Sequence, residues 1–111
     1  MASGTLSRQS ISGITTATVY TVPSSTTTSA LIAITNSNLT TSASVKIGIS
    51  SASETSISDA SLIESRVDIP AMGVYERGGI VMGATEKIII ESLNSSNTIS
   101  VRVQGYEEAS S

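Results

Sequence analysis

The chain contains no Cys, no His, no Trp and no Phe. It has two Pro, and only 14% of its residues are charged. Each absence excludes something. Without Cys no disulfide can staple the fold, and the redox compartment cannot be read. Without His or Cys, imidazole general-base chemistry, thiol nucleophiles, structural zinc and haem ligation have no residues to act through. No Ser-x-x-Lys supplies an alternative base for a serine nucleophile. Six Lys and Arg against nine Asp and Glu give a net charge of −3, with the bases scattered, which argues against nucleic acid as a partner. The longest apolar runs, Ala30–Ile34 and Ile88–Ile90, are far shorter than the ~20 residues that span a bilayer. No apolar stretch near the start resembles a secretory signal. A soluble protein with no membrane partner is expected.

What is present is Ser (23) and Thr (14), a third of the 111 residues, together with 14 Ile and 8 Val. Ile and Val make up over half of the apolar residues. Branched β-carbons favour a pleated sheet and lose χ1 freedom in a helix. Disordered chains lack such residues, so the Ser/Thr content belongs to outer faces and turns. The length fits one domain.

Residues 1–14 read as an arm: Ser, Gly, Arg8 and Gln9 with widely spaced Leu6, Ile11 and Ile14. The first strand runs Thr15–Val22 and stops at Pro23, which cannot donate to a ladder. Ser24–Ser29 reads as a turn, Ala30–Thr35 as a strand covered on both faces, and Asn36-Ser37-Asn38 as a turn. Ser44–Ser50 alternates, with Val45, Ile47 and Ile49 on one face. Ser51–Ala60 is a connection. Ser61-Leu62-Ile63-Glu64 fits a helix capping box, but Ile63–Ile69 reads better as a strand closed by Pro70. Val74–Glu76 and Ile80–Met82 flank Arg77-Gly78-Gly79 as a hairpin would. Glu86–Ser92 is a strand, Asn94–Asn97 a turn, and Thr98–Gln104 a strand with Ile99, Val101 and Val103 inward. Gly105–Ser111 reads as an acidic tail. Seven to eight short strands with no helical crossover predict an all-β single domain, a β-sandwich or jelly-roll-like barrel. Its expected bounds are 1–14 for the arm, 15–108 for the sandwich and 109–111 for the tail.

Candidate chemistry is sparse. Gly78–Gly83 lacks the Lys-Ser/Thr end or following helix of a phosphate loop. Glu64, Asp68, Glu86, Glu107 and Glu108 fit solvated strand faces better than a catalytic pair or a calcium loop. Asn38-Leu39-Thr40 and Asn94-Ser95-Ser96 match a glycosylation acceptor, as chance allows at this Ser/Thr content. Tyr20, Tyr75 and Tyr106 could form a sugar-stacking patch if exposed together, or serve as core and interface anchors. No catalytic residue, cofactor or metal ligand is expected. A small, aromatic-poor β domain with an apolar-studded arm is marginal alone, and oligomerisation or docking would cover the arm and the edge strands.

Thr16–Pro23, Ala30–Asn36, Lys46-Ile47-Gly48-Ile49, Val74–Ile80 and Ile99–Glu108, in that order, resemble small β-sandwich structural proteins of tailed bacteriophages, particularly those of cyanobacteria. The resemblance covers most of residues 14–108 and rests on the style and order of segments. It implies a virion structural protein made in the host cytoplasm, with no enzyme activity. The first such role is a capsid decoration (cement) protein on the major capsid protein, bridging capsomers as a trimer. The second is a tail, neck, baseplate or fibre component against a neighbouring tail protein. A host-surface or carbohydrate-binding module is the alternative from a different class. Contacts are expected from Leu6, Arg8, Ile11, Ile14, Tyr20 and Tyr106. Deleting residues 1–13 is expected to abolish particle binding and leave the β domain folded.

Overall fold

A computed structural model of the chain describes residues 3–93 and 98–109. Eight strands carry it: β1 (Ser3–Ser12), β2 (Thr15–Thr21), β3 (Thr26–Asn36), β4 (Ala43–Ser50), β5 (Leu62–Ile69), β6 (Val74–Met82), β7 (Lys87–Ser92) and β8 (Thr98–Ala109). None of the described residues is helical. The capping-box sequence leads into β5, whose residues pair antiparallel with β4.

One sheet has the order β1-β8-β3-β6 (sheet A) and the other β2-β7-β4-β5 (sheet B), with every ladder antiparallel. Each connection crosses between the sheets except β4–β5. That order is two interlocked Greek keys, the jelly-roll arrangement. The all-β sandwich expected from the strand spacing is the observed fold.

Alternation builds the core. Ala30, Ile32 and Ile34 of β3 and Ile99, Val101 and Val103 of β8 point inward from sheet A. Val45 and Ile47 of β4 and Ile88 and Ile90 of β7 meet them from sheet B. Fully burying one such side chain stabilises by about 1.5–3 kcal/mol. Ile89 is also fully buried yet lies outside this core cluster. It faces outward on sheet B beside Gly48. The β4–β5 connection folds over that spot: Ile57 comes within 2.7 Å of where a Gly48 Cβ would stand.

Three expectations are corrected. The arm is strand β1. Ser3–Ser12 pairs with β8 from Tyr106 to Thr98, and Ile11 is in the core. Its thin apolar pattern hid it because an edge strand needs few inward anchors. Deleting residues 1–13 would therefore remove a structural strand. The hairpin at Arg77-Gly78-Gly79 is a bulge within one continuous strand. Ala30 pairs with Ile80 and Ile32 with Arg77, which leaves one extra residue on β6. Gly79 takes a positive φ of 70° there. The bulge resets the alternation, so Tyr75 and Arg77 share the inward side with Ile80 and Met82. Finally, the Ser24–Ser29 turn and the acidic tail both belong largely to strands. Thr26–Ser29 and Tyr106–Ala109 pair with each other in the β3–β8 ladder. The turn expected at Asn94–Asn97 lies outside the described residues.

Candidate functional site

Polar residues facing between the sheets tie the sandwich together. On β2, the Tyr20 hydroxyl lies 2.9 Å from Thr28 Oγ1 of β3 and donates to the Glu107 carboxylate of β8. Burial, and then the bond to Glu107, push this phenol up to about 12. Between the β5 and β6 edges, Glu64 accepts from the Tyr75 hydroxyl and, at 2.8 Å, from Arg77 Nη1. Burial and then Glu64 raise the Tyr75 phenol as well. On the opposite side Ser7 of β1 donates to the Val19 carbonyl of β2. These are contacts across the two layers, and they occupy Glu64 and Glu107 structurally.

Two further candidate carboxylates are also engaged. Asp68 accepts from Ser44 Oγ at 2.6 Å and from Arg66 Nε at 3.0 Å, which holds it below its ordinary range. Glu86 Oε1 accepts from the Gly83 amide at 2.6 Å.

A different set of residues forms a surface. The β1–β2, β3–β4 and β5–β6 connections lie at one end of the sandwich. The register shows this: Ser12 pairs with Thr98, Asn36 with Ile99, Thr15 with Ser92 and Ala43 with Ile69. Buried Asn36 organises the end. Its Nδ2 reaches the carbonyls of Thr41 (2.9 Å), Ile69 (3.1 Å) and Pro70 (3.2 Å), and its Oδ1 accepts from the Asn38 amide (3.1 Å). Asn38 Oδ1 then accepts from the amides of Thr40 and Thr41, both at 2.9 Å. The Met72 amide donates to the Asn38 carbonyl at 3.0 Å, joining the two loops. With their backbones held this way, the loops present Leu39 (73% exposed) and Met72 (67%) to solvent, while Val74 (60%), the first residue of β6, and Ile14 (68%), on the β1–β2 connection, are exposed at the same end. Exposed apolar residues collected at one end of a β domain make that end a candidate interaction surface.

The expected contact residues therefore divide. Ile14 belongs to this end. Arg8 and Tyr106 (50% exposed) lie on the outer face of sheet A. Leu6 packs against the core, and Ile11 and Tyr20 are core residues, so these three are not surface anchors. The three tyrosines do not form an exposed cluster, because two of them turn their hydroxyls to carboxylates between the sheets. Leu39, Met72 and Val74 went unrecognised in the sequence. Their one signal was an apolar residue inside or beside a turn of Asn, Gly and Pro, where nothing local calls for one.

No protein-family model matches this chain, and no curated protein matches it in sequence. Among solved structures it is similar to a Bacillus endospore appendage protein, from a family of disulfide-linked pili (12% identity, TM-score 0.46), over 99% of this chain and 93% of that one. It is also similar to a chain of the cyanophage Pam1 capsid asymmetric unit (11%, 0.48), over 96% and 83% respectively. A third is the Anabaena sensory rhodopsin transducer (18%, 0.39), over 96% and 100%.

Proposed function

We propose that this protein is a non-enzymatic structural component of a tailed-phage virion, a capsid decoration protein that binds the major capsid protein and stabilises the shell. The observation that carries the reading is the apolar loop end of Ile14, Leu39, Met72 and Val74, where Asn36 and Asn38 tie the Leu39 and Met72 loops together. The molecule measures 48 × 28 × 19 Å, so an end is a natural foot for an elongated body. A foot of four apolar side chains contributes little per copy, and repetition over a shell multiplies it. The Ser/Thr-rich outer faces stay in solvent. On the shell the protein assembles as a trimer at a local symmetry axis.

The test is the copy number in purified particles, by quantitative mass spectrometry against the major capsid protein. A number of the same order as the capsid subunit is expected. A few copies per particle would move the protein to the tail, neck, baseplate or fibre, and absence would overturn the virion reading. Leu39→Asp and Met72→Asp, both at exposed positions, should abolish binding to undecorated shells while leaving the thermal melt unchanged. Undiminished binding would remove the foot from the loop end.

A further inference from the structure

The register of sheet A places four side chains in one row across its outer face. Arg8 of β1 stands opposite Arg102 of β8, Arg102 beside Ala33 of β3, and Ala33 beside Glu76 of β6. Like charges directly opposite one another destabilise an antiparallel pair. Neither arginine forms an ion pair among the described residues. Arg102 instead rests on Thr5 Oγ1, through Nε at 3.1 Å and Nη2 at 2.6 Å. At ~4.8 Å per strand, Glu76 lies about 10 Å from Arg102. Ala33, the smallest side chain of the row, leaves the middle open. The result is a groove of about 600 Å³, whose wall also includes Ser10, Thr35, Ser100 and Gln104. Paired like charges beside a polar groove of this size make it a candidate binding site.

We propose that this groove binds an acidic saccharide, with a sugar carboxylate on the Arg8–Arg102 pair and ring hydroxyls on Glu76 and the polar wall. Two arginines paired across the ladder suit a carboxylate, because each guanidinium presents a planar fork of donors. Glu76 at the far side repels a second negative charge and accepts from hydroxyls. Ser, Thr and Gln donate and accept, as a polyhydroxylated ring requires. An acidic peptide fits less well. Its carboxylate would satisfy the arginines, but its backbone, lying on the sheet face, would meet a floor of side chains. Tyr106 stands on the same outer face of β8, four residues or about 13 Å from Arg102. Half exposed, it can stack a sugar further along an oligosaccharide. This site lies on the outer face of sheet A and borders the loop end where Thr35 pairs with Val74, and its ligand test is separate from the shell-binding test.

The experiment is an NMR titration of the full ¹⁵N-labelled chain with glucuronate, a glucuronate-terminated trisaccharide, glucose, acetate and an aspartate-rich peptide. Glucuronate should shift the amides of Arg8, Ala33, Ser100 and Arg102 saturably, and more tightly than acetate or glucose. Arg8→Gln or Arg102→Gln should weaken glucuronate about tenfold or more, the effect of losing a hydrogen bond to a charged group. Glu76→Gln should weaken glucuronate and leave acetate unchanged. Tyr106→Ser should weaken the trisaccharide only. The proposal is overturned if neither sugar acid shifts these amides, if acetate matches glucuronate, or if the peptide binds the groove more tightly than the sugars.

Discussion

The phenol of Tyr20 on β2 donates to the carboxylate of Glu107 on β8, joining residues 87 apart in sequence and belonging to different sheets. Thr28 of β3, fully buried, shares the same hydroxyl. Strands from the beginning and the end of the chain are thereby fixed to one another by polar contacts across the sandwich.

Tyr20→Phe leaves Thr28 and Glu107 without their partner. Stranding buried polar groups costs about 1–3 kcal/mol. Thermal unfolding should show that loss for Tyr20→Phe, while Tyr106→Phe at an exposed position should change stability by no more than about 0.5 kcal/mol. Equal effects at the two positions would mean that the contact contributes nothing.

The same phenol makes stability fall in alkali. Its folded value, about 12, lies above the ordinary 10.0. The unfolded chain thus loses the proton first. The stabilising contribution is complete below pH 10 and disappears as the pH rises towards 12. Urea unfolding measured across that interval should show a steep decline for the native chain and a shallower one for Tyr20→Phe.

Acid acts at the other end of the charge scale, through Glu54 in the β4–β5 connection. The Ser51 amide at 2.8 Å, then the hydroxyls of Ser58 and Ser61, hold this carboxyl down to about 2. Since the folded value is the lower one, its contribution is complete above pH 4.5 and is lost as the pH falls towards 2. Glu54→Gln should flatten the acid limb of a stability–pH curve. An unchanged limb would show that the loop carries no such linkage.

Asn36→Ala removes a buried amide that bonds two loops at once. A loss of about 2–3 kcal/mol in urea unfolding is expected, from carbonyls left without a donor. Shell binding should weaken in parallel, because the loops that display Leu39 and Met72 lose their common anchor. Binding at full strength in a destabilised Asn36→Ala protein would mean that the loop end is not the foot.

Gly105→Ala and Gly79→Ala separate two demands on glycine. A Cβ at Gly105 would stand 1.9 Å from the Ser29 carbonyl oxygen, inside the central β3–β8 ladder, at a φ of +151°. A Cβ at Gly79 meets nothing within 4 Å and carries only the conformational cost of φ +70°. Gly79→Ala should therefore cost about 1–2 kcal/mol. Gly105→Ala should exceed about 4 kcal/mol or fail to fold. Similar melting temperatures for the two would refute the close approach.

The sequence by itself determined the class of fold. Ile99, Val101 and Val103 alternating with Ser100, Arg102 and Gln104 leave no reading except a half-buried strand, and Pro23 and Pro70 each mark an end. Two-residue alternation is a local property, so it survives without the partner strands. The tertiary structure alone decided the rest. Gly78-Gly79 has the same chemistry in a hairpin and in a bulge, and only the ladder to β3 made it a bulge. Leu6 and Ile11 were too sparse to announce a strand, because β1 gains its order from pairing with β8. The apolar loop end and the Arg8–Arg102–Ala33–Glu76 row exist only once the jelly-roll topology brings together segments up to 94 positions apart. Long-range register, which no local pattern encodes, set the surfaces of this protein.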